Sequence, residues 1–536
     1  MSDSKKSPKT PEEIQKEIQS FLKEKFGADI FTIPMGAAVG AGQSSEDSRE
    51  QKPEEDEIPS EILAFNMRPS EVKSYLDRFV IGQDEAKCTL AVAVCDHYNH
   101  VQRILRREKE GGKDGDDEEG GSGESYIKQN VILLGPTGVG KTYLVRILAQ
   151  LIGVPFVKAD ITKFSETGYV GGDVEDMVRE LYRMADGNHQ LAEHGIVFLD
   201  EIDKISSAAS SSGRDPSGRG VQVALLKLME DTDVPIRNPM DISAQFQDMM
   251  QMRHGASRRR TLNTRHILFV VSGAFSSLPE IIEKRLREGN IGFAPASKVA
   301  ESEEGNPLAK CTTGDFIDYG FEPEFIGRLP IRIALDDLGA DELFQILKNS
   351  EGSILHQYRQ NFRDYGIDVA FEDSALQEIA ERAHAEKTGA RGLMTVLESC
   401  LRDFKFHLPG TSVGSFAVTK ELVQHTEKTL RSMLERPEVA AGAYTSAAVR
   451  EFEVAFEKTL GVRLALNDEA VVMAVGLAAQ NGQSLRRFLQ STFRPHADFL
   501  RKILEKSKRH ELPVTPKILQ RPAEGVELWL GKDGAS

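Results

Sequence analysis

Gly135-Pro136-Thr137-Gly138-Val139-Gly140-Lys141-Thr142 is the stretch whose reading decides the fold. Before it, Val131-Ile132-Leu133-Leu134 has the length and composition of a buried strand. After it, Tyr143-Leu144-Val145-Arg146-Ile147-Leu148 spaces its apolar residues at helical intervals. A glycine-rich loop between strand and helix, closed by Lys-Thr, is a P-loop in the context that confirms it. A loop serving only as punctuation would not need the Lys-Thr pair. The glycines let successive N–H groups wrap a phosphate chain at the positive end of a helix. Lys141 is expected to reach the outer phosphates, and the Thr142 hydroxyl to ligate Mg²⁺.

Working outward, Val154-Pro155-Phe156-Val157 reads as a second strand, giving β-α-β order. Gly195-Ile196-Val197-Phe198-Leu199-Asp200-Glu201 reads as a third, with two carboxylates at its C-terminal end, the edge where open α/β sheets bind ligands. Runs beginning at His266 and Ile331 supply a fourth and a fifth. Helical patterns lie between the strands, so an α/β fold follows: a parallel sheet flanked by helices, then a smaller, mainly helical domain from about Ala340. Asp200 is placed to hold Mg²⁺ opposite Thr142, and Glu201 to polarise a water for in-line attack on a γ-phosphate. Two adjacent acids after a strand also occur at ordinary helix starts, and their place in this body favours the catalytic reading.

Composition narrows the class. The chain has 536 residues, long enough for several domains, with 40% hydrophobic and 28% charged residues. A formal charge of −16 argues against non-specific nucleic-acid binding. The four cysteines (Cys88, Cys95, Cys311, Cys400) are scattered and form no C-x-x-C pair, so no zinc is expected and a reducing compartment is. No run approaches a membrane span, and the first residues lack a secretory core, so the expectation is a cytoplasmic protein with no membrane partner. Pro11 to Phe26 carries the helical stripe Ile14, Ile18, Phe21 and Leu22, which suits either a surface helix or a docking helix. Gly36–Glu57 and Arg107–Glu124 read as polar linkers.

With Ile202-Asp203-Lys204-Ile205 after the carboxylates, the chain resembles the Clp/HslU family of AAA+ unfoldases, nearest to its ClpX type. The resemblance runs from about Arg68 to Glu421. It includes Tyr75-Leu76-Asp77, Val80-Ile81-Gly82-Gln83, Gly168-Tyr169-Val170-Gly171, Gly218-Arg219-Gly220-Val221-Gln222, Pro323 to Pro330 and Thr388-Gly389-Ala390-Arg391-Gly392-Leu393. It implies an ATPase that unfolds proteins as a homohexamer. It implies further that Arg328 is an arginine finger acting on a neighbour and that Arg391 is a cis sensor cation. Val80 and Ile81 would line the adenine pocket, Tyr143 would join the nucleotide-binding set, and Ser272 is a candidate for sensor 1. Tyr169 and Val170 would grip protein substrates in a central pore. Ile291, Gly292 and Phe293 match the loop with which this type docks on the peptidase ClpP. Only Gly172 to Gly195 separate the pore motif from the second carboxylate motif, which favours the ClpX type over HslU.

Three departures stand out. No zinc-binding N-terminal module is legible. The methionine-rich and basic segment from Asp231 to Arg265 does not keep the family spacing. The tail from Gln424 resembles a worn copy of the small domain: Tyr365 to Leu376 compares with Leu460 to Val471, Gly366 falling on Gly461. In that comparison either Gln483 or Arg486 takes the place of Arg391. The expected boundaries are 1–60 for the N-terminal helix and linker, 61–335 for the large AAA+ domain, 336–424 for the small domain and 425–536 for the extension. The leading functional expectation is an ATP-dependent unfoldase feeding a ClpP-type peptidase. The alternative is a remodelling chaperone without a peptidase. A nucleic-acid motor would want a basic pore, whereas Tyr169 is flanked by Glu166, Asp173 and Glu175.

Overall fold

The structure is a computed structural model that describes residues 65–109, 128–164, 172–206, 216–236, 261–289, 305–507 and 511–533. All of them belong to one compact unit, Glu55–Ser536. The helix expected at 11–26, both polar linkers, Tyr169 and Val170, the loop Ile291 to Phe293 and the basic residues Arg253 to Arg260 lie outside the described residues.

Helices α1 (Pro69–Asp77) and α2 (Asp84–Lys109) precede the P-loop strand. Proline suits the first turn of α1 because the N–H it lacks would have no helical partner there. The Glu71 carboxylate accepts the Arg68 N–H at 2.8 Å and closes the helix start. Strands β1 (Val131–Leu134), β2 (Phe156–Asp160), β3 (Ile196–Asp200), β6 (Leu268–Gly273) and β7 (Ile331–Ala334) form a parallel sheet in the order β2-β3-β6-β1-β7. The second strand begins two residues later than its apolar run suggests, beyond Pro155. Helices α3 (Lys141–Ile152), α4 (Asp176–Met184), α5 (His189–Glu193), α6 (Pro216–Met229), α7 (Leu278–Gly289), α8 (Thr313–Tyr319) and α9 (Pro323–Gly327) connect the strands. A short antiparallel pair, β4 (Asp233–Pro235) with β5 (Thr261–Asn263), was not legible in the sequence.

Alternation along the strands explains why both faces are covered. Val131 and Leu133 of β1, Ile196 and Phe198 of β3, and Leu268 and Val270 of β6 enter one core. Ile132, Leu134, Val197, Leu199, Phe269 and Val271 enter the other. Side chains of a strand point alternately to opposite faces, so continuous apolar runs require a layer on each side.

Beyond the sheet come α10 (Ala340–Asn349), α11 (Ile354–Asp364), β8 (Asp368–Phe371), α12 (Asp373–Ala385), α13 (Ala390–His407), β9 (Ser415–Val418), α14 (Lys420–Gln424) and α15 (Thr426–Glu435). The tail then runs through α16 (Pro437–Leu460), β10 (Arg463–Leu466), α17 (Asp468–Gln480), α18 (Leu485–Phe493), α19 (Ala497–Ser507), β11 (Glu511–Val514), α20 (Pro516–Gln520) and α21 (Pro522–Asp533). Strands β8 and β9 pair in parallel, and so do β10 and β11. Val369, Phe371, Phe416 and Val418 face the first core, whereas the paired Ala370 and Ala417 face the tail. That rung of two methyl groups leaves room for α16 to lie close against it, burying Tyr444, Ala447, Ala448 and Phe452. On the second pair the corresponding rung is Ala465 with Pro513, beside the ion pair of Arg463 with Glu511 at 3.4 Å. Pro513 is exposed. Helix α15 sends Leu430 and Met433 into the first core, not the tail core. Among the described residues no helix is long and apolar enough to cross a membrane.

Candidate functional site: a phosphate cradle closed by the helical region

The P-loop turns from β1 into α3 with Gly135, Gly138 and Gly140 at φ of 150°, 87° and 98°. Side chains are also excluded by space: a Cβ on Gly138 would stand 2.1 Å from the Thr388 carbonyl oxygen. The Ala390 N–H donates to the Gly138 oxygen at 3.0 Å, so the start of α13 is bonded directly to the loop. Pro136, Thr137 and Val139 complete the turn, with Val139 buried beneath it. The Lys141 ammonium is buried and donates to the carbonyls of Gly135 (2.6 Å) and Pro136 (2.8 Å). Burial pushes its pKa down, the Asp200 and Asp203 carboxylates oppose that, and Arg391 adds to it; the net shift is downward.

Asp200 ends β3 at the C-terminal edge of the sheet. Its carboxylate accepts the Ser272 hydroxyl at 2.7 Å and pairs with Lys158 at 2.9 Å. Burial pushes the Asp200 carboxyl up, but Ser272 and Lys158 outweigh it and hold it below its ordinary value, so it stays ionised at neutral pH. Glu201 is exposed and adopts φ 59°, ψ 31°, a left-handed conformation uncommon for a residue with a side chain. Its N–H donates to Asp200 Oδ1 at 3.1 Å.

The turn expected to take the base is fixed by bonds between distant parts of the chain. Val80 is buried and Ile81 half-buried. The Gln83 side chain donates to the Asp336 carbonyl and accepts the Asp336 N–H, both at 2.8 Å, tying this turn to the chain beyond β7. Tyr143 leans on Gly352, where a Cβ would meet its hydroxyl at 2.0 Å.

The structure therefore brings together Val80, Ile81, the P-loop, Asp200, Ser272 and the start of α13, which carries an exposed Arg391. Arg328 is elsewhere. Its carbonyl accepts from Asn130, the residue before β1, at 3.1 Å, so it lies at the opposite end of that strand from Gly135. Its guanidinium pairs with Glu230 at 2.5 Å. Lys158 and Gly352 were missed from the sequence, because a cross-strand ion pair and a contact between distant segments leave no local pattern. The residues fit a magnesium-bound nucleoside triphosphate: a backbone cradle that a Cβ would fill, a buried cation, and hard oxygen donors in Asp200 and Thr142.

The comparisons agree with that geometry. Residues 127–332 match the family described as AAA domain (Cdc48 subfamily), and residues 338–404 match the C-terminal, D2-small domain, of ClpB protein. The chain is 40% identical over 363 residues to the ATP-dependent Clp protease ATP-binding subunit ClpX of Borrelia duttonii (strain Ly), covering 67% of this chain and 79% of that one. The protein of the same name from Borrelia recurrentis (strain A1) matches to the same extent. That from Bacteroides thetaiotaomicron is 37% identical over 371 residues, covering 69% of this chain and 84% of the relative. A nucleotide cradle sealed by the helix that carries Arg391, together with identity of this extent across most of each relative, leads to one assignment: the chain belongs to the ClpX family of AAA+ ATPases.

Proposed function

We propose that this ATPase is the unfolding subunit of a two-component protease, working as a homohexamer and passing unfolded protein to a ClpP-type peptidase. The observation that carries the reading is the bond between Gly138 and Ala390, because it joins the phosphate cradle to the helical region that must move if hydrolysis is to do mechanical work. Lys141 would orient the outer phosphates, and Glu201 would take the proton of the attacking water. Bound Mg²⁺, held by Thr142 and by Asp200, would draw off charge from the phosphate oxygens. Arg391 would sense the γ-phosphate in cis. Arg328, at the far end of β1 from its own cradle, suits a site on an adjoining protomer. Tyr169 and Val170 would grip the threaded chain, and Ile291, Gly292 and Phe293 would dock the peptidase.

The domain reading belongs to this proposal: a large domain at 61–335, a small one at 336–424, and a tail at 425–536 derived from a degenerate copy of the small domain. The names of the relatives support the peptidase partnership, and the depressed Asp200 carboxyl supports the metal role. The test measures degradation of a tagged fluorescent protein with a ClpP-type peptidase, using wild type and Glu201→Gln. Wild type should degrade it, and the variant should bind ATP yet leave it folded. Loss of fluorescence without proteolysis would favour the remodelling chaperone instead, and an active Glu201→Gln would overturn the catalytic assignment.

A further inference from the structure

We infer that the outer face of α17 is a docking site for an amphipathic helix of a partner protein, one that carries a lysine or arginine in its last turn. The argument uses the recurrence of elements between 354–435 and 437–533 and does not depend on the unfoldase reading. Helix α12 spans Asp373–Ala385 and α17 spans Asp468–Gln480, so each residue of one has a counterpart 95 positions on in the other. The preceding strands, Asp368–Phe371 and Arg463–Leu466, keep the same interval.

In the first copy, α10 covers one face of α12 along its whole length, in antiparallel sense. Lys348 in the last turn of α10 pairs with Asp373 at 2.5 Å, and His384 near the end of α12 bonds to the Leu338 carbonyl at 3.1 Å. The stripe between those two ends, Asp373, Leu376, Ala380 and His384, follows helical spacing. Leu376 is 3% exposed and Ala380 is 1% exposed.

The counterparts on α17 are Asp468, Val471, Val475 and Ala479, with Val472 beside them. Among the described residues, α17 is packed by α16, α18 and α20, and none of them pairs with it as closely as α10 pairs with α12. At the same interval of 95, α10 would fall on residues 435–444, the start of α16, where Ala440 enters the first core and the helix packs on β8 and β9. Val475 is accordingly 40% exposed and Val472 is 73% exposed. Val472 stands where the first copy has the polar Gln377, so the surface is more apolar than its covered relative, not less. Asp468 makes no ion pair among the described residues, whereas its counterpart Asp373 is matched by Lys348.

Uncovered aliphatic surface with one carboxylate at its end defines the occupant. It is a helix with branched aliphatic residues at i and i+4, like Leu343 and Leu347 of α10, and a cation in its final turn to meet Asp468. A probe already exists in the chain: a fluorescent peptide with the sequence of residues 338–350.

The test titrates that peptide against the full-length protein by anisotropy. Saturable binding is expected, weakened at least tenfold by Val475→Asp. Asp468→Lys should weaken the same peptide and improve binding of its Lys348→Glu version, a reversal that general destabilisation cannot produce. ATP turnover should be unchanged in both protein variants, which keeps this result separate from the unfoldase assay. Absence of saturable binding up to about 1 mM, or binding indifferent to Val475→Asp, overturns the inference. So does loss of the protein's own concentration-dependent association in Val475→Asp, which would make a second copy of the chain the occupant.

Discussion

Residues 354–435 and 437–533 build the same succession of elements, with α13 matched by the two helices α18 and α19, yet only the first touches the nucleotide cleft. Gly389 precedes α13 with φ 61°, and a Cβ there would come within 2.8 Å of the Gly138 backbone. Its counterpart Ser484 is an ordinary cap, its hydroxyl accepting the Arg487 N–H at 3.4 Å. Arg391 is the second residue of α13 and Arg486 the second of α18. Arg391 is exposed near Lys141, whereas Arg486 reaches Glu451 at 3.3 Å. Glu451 also accepts from Arg359 of α11 at 2.9 Å and from the Phe371 N–H at 2.6 Å. The position proposed as a sensor at the start of α13 is a fastening at the start of α18. The comparison teaches that a recurring backbone plan can meet the phosphate cradle or hold a core together according to the residues at one helix start.

The contrast can be broken most sharply at the first of those positions. Gly389→Val forces a side chain into the Gly138 backbone in a conformation that branched residues avoid, so ATP turnover should fall about a hundredfold, on the scale of losing a preorganised donor. Ser484→Ala should leave turnover alone and lower stability by about 1 kcal/mol, read as a shift in Tm. Equal turnover in both would remove the distinction. Next in size, Arg391→Ala should cost on the order of tenfold or more in ATP hydrolysis, and Arg486→Ala should change it less than about twofold.

Glu451→Ala addresses the fastening itself. Arg359 is largely buried, and burial pulls its pKa down while Glu451 supports the charge. Removing the carboxylate leaves that guanidinium and the Phe371 N–H without their acceptor, at a cost of about 3 kcal/mol in urea unfolding. Arg359→Met added to Glu451→Ala should recover part of the loss, and no recovery would mean that the charge is not what destabilises.

Acid should separate the two parts of the molecule more gently. His97 of α2 lies 3.0 Å from the carbonyl of His266, just before β6 and opposite the nucleotide edge, and His266 stacks on His194 with ring centroids 5.5 Å apart. Burial, with Lys128 adding to it, holds the His97 imidazole down at about 3. Burial, then the nearby His194, Arg265, His100 and Lys128, hold His266 at about 3 as well. A base depressed in the folded state binds its proton more readily when unfolded. Stability is therefore complete above about pH 6.5 and is lost as pH falls from there toward 3, at roughly 1.4 kcal/mol per unit for each histidine. Among the described residues of 437–533, the one histidine is the half-buried His496. Hydrogen exchange at pH 7 and pH 5 should show β3 and β6 losing protection before β10 and β11, and the reverse order would refute the assignment.

Much of this was legible in the sequence because the decisive features are local. The P-loop carries its strand, glycines and lysine in one run, and Val131–Leu134 and Ile196–Asp200 announce a doubly covered sheet by composition alone. The register of the tail could not be read so directly. Leu485, Phe488 and Leu489 match the buried Leu393, Val396 and Leu397 in one alignment, while the helix starts match in another. Both hold once α18 is turned about its axis by about a sixth of a turn relative to α13, since 3.6 residues per turn lets a shift of three nearly restore the same face. Lys158, Gly352 and Glu451 act across long separations, where a single sequence offers no periodicity to follow.

The rung of Ala370 and Ala417 has a last consequence. A surface that accepts the next repeat, and then offers the same surface again, is the recipe for a head-to-tail fibre. On the second pair the offer is withdrawn: Pro513 puts a ring where a methyl group stood, and Arg463 with Glu511 sets a charged pair beside it. A ring and a charged pair there oppose a further addition of the same kind.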